Sequence, residues 1–108
     1  MNELTSNETA ILVAILSLEK GAYGVAIRNY IVKFIHKEIS YGTLYSYLDQ
    51  LFRKGYLTKS LGEPVAERGG RAKIYYQLTK DGLASLMSAH ERQKLISEKL
   101  SEVLFEKT

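Results

Sequence analysis

Ser40-Tyr-Gly-Thr-Leu-Tyr-Ser-Tyr-Leu-Asp-Gln-Leu-Phe-Arg-Lys-Gly55 runs directly into Tyr56-Leu-Thr-Lys-Ser-Leu61, and the change of rhythm between the two stretches decides the fold. In the first, Leu44, Leu48, Leu51 and Phe52 recur at helical spacing, behind a serine able to cap and ahead of a glycine able to stop. The spacing predicts a helix over 41–54 with those four residues buried. The second stretch is a short strand pattern, answered by Lys73-Ile-Tyr-Tyr-Gln-Leu-Thr79. Residues 62–72 lie between the strands, so this is a long β-hairpin with a charged tip. The sole proline, Pro64, and the pair Gly69-Gly70 fall in that tip, where strand pairing is expected to end.

Upstream, Thr5 and Glu8 form a Thr-x-x-Glu capping box ahead of Ile11, Leu12, Ile15 and Leu16, which predicts a helix over 6–19 stopped by Lys20-Gly21. Ala10, Val13, Ala14 and Leu18 widen its apolar face so far that one small chain is not expected to cover it. Val25, Ala26, Ile27, Tyr30, Ile31, Phe34 and Ile35 repeat at helical spacing and predict a second helix over 24–37. Downstream, Thr79-Lys-Asp-Gly82 opens a last helix that runs nearly to the C-terminus without a proline. Its length, roughly 25 residues, gives about 40 Å at the α-helical rise, more than a body of three short helices and a hairpin can cover. Along it Leu86, Ala89, Gln93, Ile96, Leu100 and Val103 alternate spacings of three and four, a heptad seam. Ile11, Ile15, Leu86, Gln93, Ile96, Leu100 and Val103 are therefore the expected homodimer interface, with Leu83 and Met87 turned to the chain's own body. Gln93, the polar member, either sets the register or faces a solvated cavity between subunits.

The 108 residues are 45% hydrophobic and 25% charged, the profile of one globular domain. Residues 1–80 form its body and 81–108 a helical extension of the same domain. With no cysteine there is no disulfide, thiolate zinc site or cysteine nucleophile. His36 and His90 stand alone, without a partner at metal spacing, so neither a metal nor a cofactor is expected. Gly-Gly-Arg-Ala is followed by no helix and no Gly-Lys-Ser/Thr, so it does not cradle phosphates, and an enzyme ranks a distant third among the functional classes. The longest apolar run, the seven residues Ala10 to Leu16, is far too short to cross a bilayer. The first residues lack a basic n-region and a cleavage site, which suits a cytoplasmic protein.

The net charge of +3 is unevenly spread. Residues 1–40 carry four bases and four acids, residues 41–80 seven and three, and residues 81–108 four and five. The excess lies on the third helix and the hairpin, as expected of a surface that meets phosphates. Three helices followed by a hairpin make a winged helix-turn-helix, mainly α with a small β-hairpin and here a long C-terminal dimerisation helix. Its third helix enters the major groove of double-stranded DNA, and the hairpin flanks it. The buried stripe of that helix turns Thr43, Ser46, Asp49, Gln50 and Arg53 outward. Tyr41, Thr43, Ser46 and Tyr47 are the expected DNA contacts, with Gln50 a base reader through its amide and Tyr45 shared between packing and a phosphate. In the wing, Arg68, Arg71 and Lys73 surround Gly69-Gly70, and Gly70 permits close approach to the sugar-phosphate chain. Eight tyrosines without a tryptophan also raise stacking on single strands, but a two-stranded wing offers too little surface. The alternative of a different class is a winged-helix protein-interaction module without DNA binding, against which the charge of residues 41–80 argues.

Three stretches also resemble the PadR-type transcriptional regulators: Gly42-Thr-Leu-Tyr-Ser-Tyr-Leu48 in the third helix, Gly70-Arg-Ala-Lys-Ile-Tyr-Tyr76 in the wing, and Leu78-Thr-Lys-Asp-Gly82 opening the last helix. The pair Tyr23-Gly24 before the second helix matches too. Ser46 stands where members often carry proline, and the wing is longer, with Glu63 and Glu67 in it. The resemblance implies a homodimeric cytoplasmic repressor, usually responsive to a small molecule, of the compact kind with a single C-terminal helix.

Overall fold

Thr5 opens α1 (Ser6–Leu18) through a reciprocal pair: its hydroxyl accepts from the Glu8 amide at 3.1 Å, and the Glu8 carboxylate accepts from the Thr5 amide at 2.8 Å. The computed structural model describes residues 3–64 and 72–107. After α1 come a 3-10 turn (Glu19–Gly21), α2 (Gly24–Tyr30), a wide π-helical turn (Ile31–Ile35), α3 (Tyr41–Arg53), β1 (Leu57–Pro64), β2 (Ala72–Leu78) and α4 (Lys80–Lys107). The first helix stops earlier than its pattern suggests. Glu19 takes a positive φ of 53° and the chain tightens, which delivers Ala22 into the core. The second helix also breaks early: the π turn closes on His36 in the left-handed region, φ 59° and ψ 41°. Its apolar residues are too many for one stripe, and the wide turn buries Ile31 while leaving Phe34 outside.

The hairpin pairs antiparallel from Leu57 opposite Leu78 to Leu61 opposite Ile74, then Pro64 opposite Ala72, with an irregularity between Leu61 and Pro64 that marks a bulge. β1 thus reaches Pro64, beyond the expected end at Leu61. A two-stranded ribbon leaves one edge of each strand unpaired, and a residue without an N–H fits there. The Tyr76 amide donates to the Ala22 carbonyl at 2.9 Å, and Tyr23 bridges Tyr75, so the link between α1 and α2 acts as a short third strand for the wing.

One core joins Ile11, Leu12 and Ile15 of α1, Ile27 of α2, Leu44, Leu48 and Leu51 of α3, Leu57 and Tyr76 of the hairpin, and Leu86 of α4. This corrects three expected interface residues. Ile11 is 0% exposed, Ile15 1% and Leu86 7%; their own chain uses them. α1 lies between the other helices and the hairpin, which cover it from more than one side. Phe52, expected in the stripe of α3, is instead exposed, with the Lys59 ammonium 4.2 Å from its ring centroid.

Thr79 couples α4 to this body. Its hydroxyl accepts from the Gly82 amide at 3.0 Å and donates to the Gly55 carbonyl at 2.6 Å. Gly82 lies so close to the Tyr56 carbonyl that no Cβ could fit between them. Of the two residues expected to cover the body, Leu83 lines a cleft beside Ile15, Leu16 and Leu78, while Met87 is mostly exposed. Past Leu86 the helix still faces the start of α1 as far as Ile96, with Arg92 Nε 3.1 Å from Glu3 Oε1, and then projects, which makes the long axis 59 Å against 27 and 21 Å for the others. Leu95, Ile96, Leu100, Val103 and Leu104 are all exposed along it. No helix among the described residues is long and apolar enough to cross a membrane.

Candidate nucleic-acid interface

The candidate surface is the outer face of α3. Ser40 fixes its start: the hydroxyl accepts from the Thr43 amide at 3.1 Å and donates to the Thr43 hydroxyl at 3.0 Å. Leu44, Leu48 and Leu51 are wholly buried on the inner face, so the outer face has no rotational freedom. Thr43, Ser46 and Gln50 are all exposed and line one polar cleft of about 760 Å³ with Gly42, Tyr47, Lys54 and residues at the start of α1. Three short polar groups on consecutive turns of a rigid helix can donate to and accept from base edges.

The tyrosines divide. Tyr41 is exposed, its ring stacked on Tyr45 with centroids 6.4 Å apart and the Arg28 guanidinium 4.9 Å from its own centroid. Arg28 is held there by a bond from Nε to the Ile39 carbonyl at 2.8 Å. Tyr45 is exposed along one edge, but its hydroxyl end rests on Gly24, where any side chain would collide with it. Tyr47 departs from the expected outward role: it packs on the core, and its hydroxyl accepts from Asn7 Nδ2 at 3.3 Å. Asp49 and Arg53 form an ion pair on the surface at 2.9 Å. Tyr76 is buried beneath this face, and burial, with nearby Tyr45 and Asp49, pushes its phenol above the ordinary range.

At the base of the wing, the Lys73 ammonium lies 4.1 Å from the Tyr23 ring centroid, and Tyr23 meets Tyr75 edge to face at 5.7 Å. Arg68, Gly70 and Arg71 lie outside the described residues. The structure thus brings Tyr41, Thr43, Tyr45, Ser46 and Gln50 onto or beside one face and sets Tyr47 against α1.

Residues that the pattern of the sequence did not mark are Arg28, Lys59 and the pair Glu8–Lys54. Lys54, at the end of α3, places Nζ 2.6 Å from Glu8 Oε2. Burial alone would raise the Glu8 carboxyl, but the Lys54 ammonium and the Thr5 amide outweigh it and hold the group below its usual range. The single sequence signal for Arg28 is that it is the one charged residue of α2. Among the described residues no cluster of His, Asp or Glu could hold a metal ion.

Comparison with known proteins agrees with this geometry. Residues 11–88 match the model of the transcriptional regulator PadR-like family. A transcriptional regulator from Clostridium thermocellum is 26% identical, with a TM-score of 0.70 over 88% of this chain and 89% of that one. A PadR-like transcription factor from Bacteroides fragilis is 25% identical, with a TM-score of 0.75 over 90% and 88%. A PadR-like regulator from Bacillus cereus, 23% identical, shares the fold with a TM-score of 0.75 over 91% and 90%. No curated protein matches the sequence. With the winged body, the polar face of α3 and a family match over most of its length, the chain belongs to the PadR-like family of transcriptional regulators, DNA-binding proteins rather than enzymes.

Proposed function

We propose that this chain is a sequence-specific repressor that binds double-stranded DNA as a homodimer in the cytoplasm and is released by a small hydrophobic ligand. The row Thr43, Ser46 and Gln50, exposed on a helix whose other face is core, carries this reading. Thr43, Ser46 and Gln50 read bases. Tyr41 and Tyr45 position the helix on the backbone, and Arg68, Gly70, Arg71 and Lys73 flank it from the wing. The apolar positions of distal α4, with Ile96, Leu100 and Val103 at its seam and Gln93 beside them, support the homodimer. A groove of about 730 Å³ between α1, the π turn and α4, walled by Ala10, Val13, Ile35, Leu86 and Ile96, supports a hydrophobic effector.

A mobility-shift titration on the promoter region beside the protein's own gene tests the reading. Six phosphate contacts per dimer would give a slope of log K on log salt near about −5. Binding indifferent to salt between about 50 and 200 mM would favour a protein-interaction module instead. A ligand panel in the same assay tests release.

A further inference from the structure

Glu8 is the one buried charge among the described residues, 2% exposed, and its place in a capping box does not account for it. A capping glutamate needs one oxygen for the backbone, and Glu8 uses Oε1 on the Thr5 amide. Its other oxygen takes the ammonium of Lys54, the C-cap of α3, 46 positions along the chain. Beside this pair, Asn7 reaches Tyr47, and Asn7 Oδ1 is the single buried side-chain polar atom without a hydrogen-bond partner among the described residues. An orphaned acceptor destabilises the seam it lies in. Such a departure is retained where something other than stability sets the geometry.

Glu8 and Lys54 also line the cleft that holds Thr43, Ser46 and Gln50. α3 has 13 residues, about 20 Å at the α-helical rise, so a small tilt at Lys54 is carried along the whole reading face. We propose that Glu8 and Lys54 are positioning residues for DNA binding: the pair pins the end of α3 to α1 and sets the angle of the reading row. Lys54, although a cation at the DNA-facing cleft, contacts no phosphate. This rests on the reading of α3 as the base-reading helix.

The test uses the full chain, a duplex selected by the wild-type protein from a random-sequence pool, and an unselected duplex of equal length. Glu8→Gln keeps an acceptor for the Thr5 amide and removes the charge; Lys54→Met keeps length and removes the cation. Each is expected to lose about tenfold in affinity for the selected duplex, the size of effect seen for residues that act through a neighbour. Binding to the unselected duplex and the salt slope should hold, and Lys54→Arg should restore selectivity.

If Lys54→Met instead weakens both duplexes alike and flattens the slope by about one per subunit, Lys54 is a phosphate contact and the proposal is overturned. Circular dichroism checks folding, and should Lys54→Met unfold, Glu8→Gln and Lys54→Arg decide by the same ratio. A wild-type chain that selects no duplex overturns the base-reading role of α3 and this inference with it. Wild-type selectivity in both variants overturns this inference alone.

Discussion

α1 and the distal half of α4 are both rich in apolar residues at helical spacing, yet they use them oppositely. Ile11, Leu12 and Ile15 vanish into the chain's own core, whereas Ile96, Leu100 and Val103 lie open, Leu100 at 54% exposure. Breadth makes the difference. A helix apolar nearly all round is a hub that several neighbours can surround, and α1 has α2, α3, the hairpin and the start of α4 about it. A narrow seam on a helix that projects past the body stays largely open to solvent. Total hydrophobicity therefore says that a helix is buried, and the width of the stripe says how many surfaces bury it.

The largest effect that would break this contrast is at the hub. Ile15→Ala should cost about 2–5 kcal/mol in a denaturant melt, as deletion of a fully buried aliphatic side chain does. Leu100→Ala in the same melt at low protein concentration should cost far less, and equal losses would mean that α1 and α4 are not different in kind. Second, Leu100→Asp places a charge in the exposed seam. In the dimer reading, light scattering should show the mass halved with helicity retained and the melting temperature of the body little changed. A wild-type chain that is already monomeric would leave the seam without an occupant and end the contrast.

Acid sharpens the comparison through one buried carboxyl of the body. The Glu8 carboxyl is held below its ordinary value of 4.5, so its stabilisation is fully present above that pH and is lost as pH falls through the lowered value in the folded protein. Melts between about pH 5 and 3 should show the body weakening more steeply in wild type than in Glu8→Gln, which has no such proton to gain. Parallel curves would remove Glu8 from the account. The smallest effect is at the joint between the regions: Thr79→Ala removes the hydroxyl bonded to Gly82 and Gly55 and should cost about 1 kcal/mol.

Much of the fold was legible because its signals are local. Thr5–Glu8, Ser40 and the leucines of α3 form the capping and burial they spell out, and the change of period after Gly55 is the start of the wing. Where the reading failed, the deciding fact lay far away in the chain. Tyr47 shares the face of Leu44 and Leu51 by helical spacing, but the partner of its hydroxyl, Asn7, lies 40 positions earlier. The same holds for Glu8, whose cap is visible within four residues while its second partner is 46 positions off. Ile11 and Ile15 were assigned outward because coverage of a wide helix depends on how its neighbours pack, which periodicity does not encode. On the outer face of α3, Thr43, Ser46 and Gln50 are exposed as helical spacing places them, whereas Arg28 stands beside Tyr41 because of the path of the chain at Ile39.

The contact at Gly82 reaches beyond packing. A helix that rests its backbone on the Tyr56 carbonyl leaves the body in one direction, since a methyl group at position 82 would lever it away. In the proposed dimer, two copies joined along α4 would inherit that direction twice, and the helix would be a ruler between their third helices. Half-sites on DNA lie about 34 Å apart for each turn of the duplex. In the proposed dimer the permitted spacing of the operator would be set at a glycine far from the outer face of α3, and Gly82→Ala is expected to shift the half-site spacing preferred in a selection from duplexes of varied spacing.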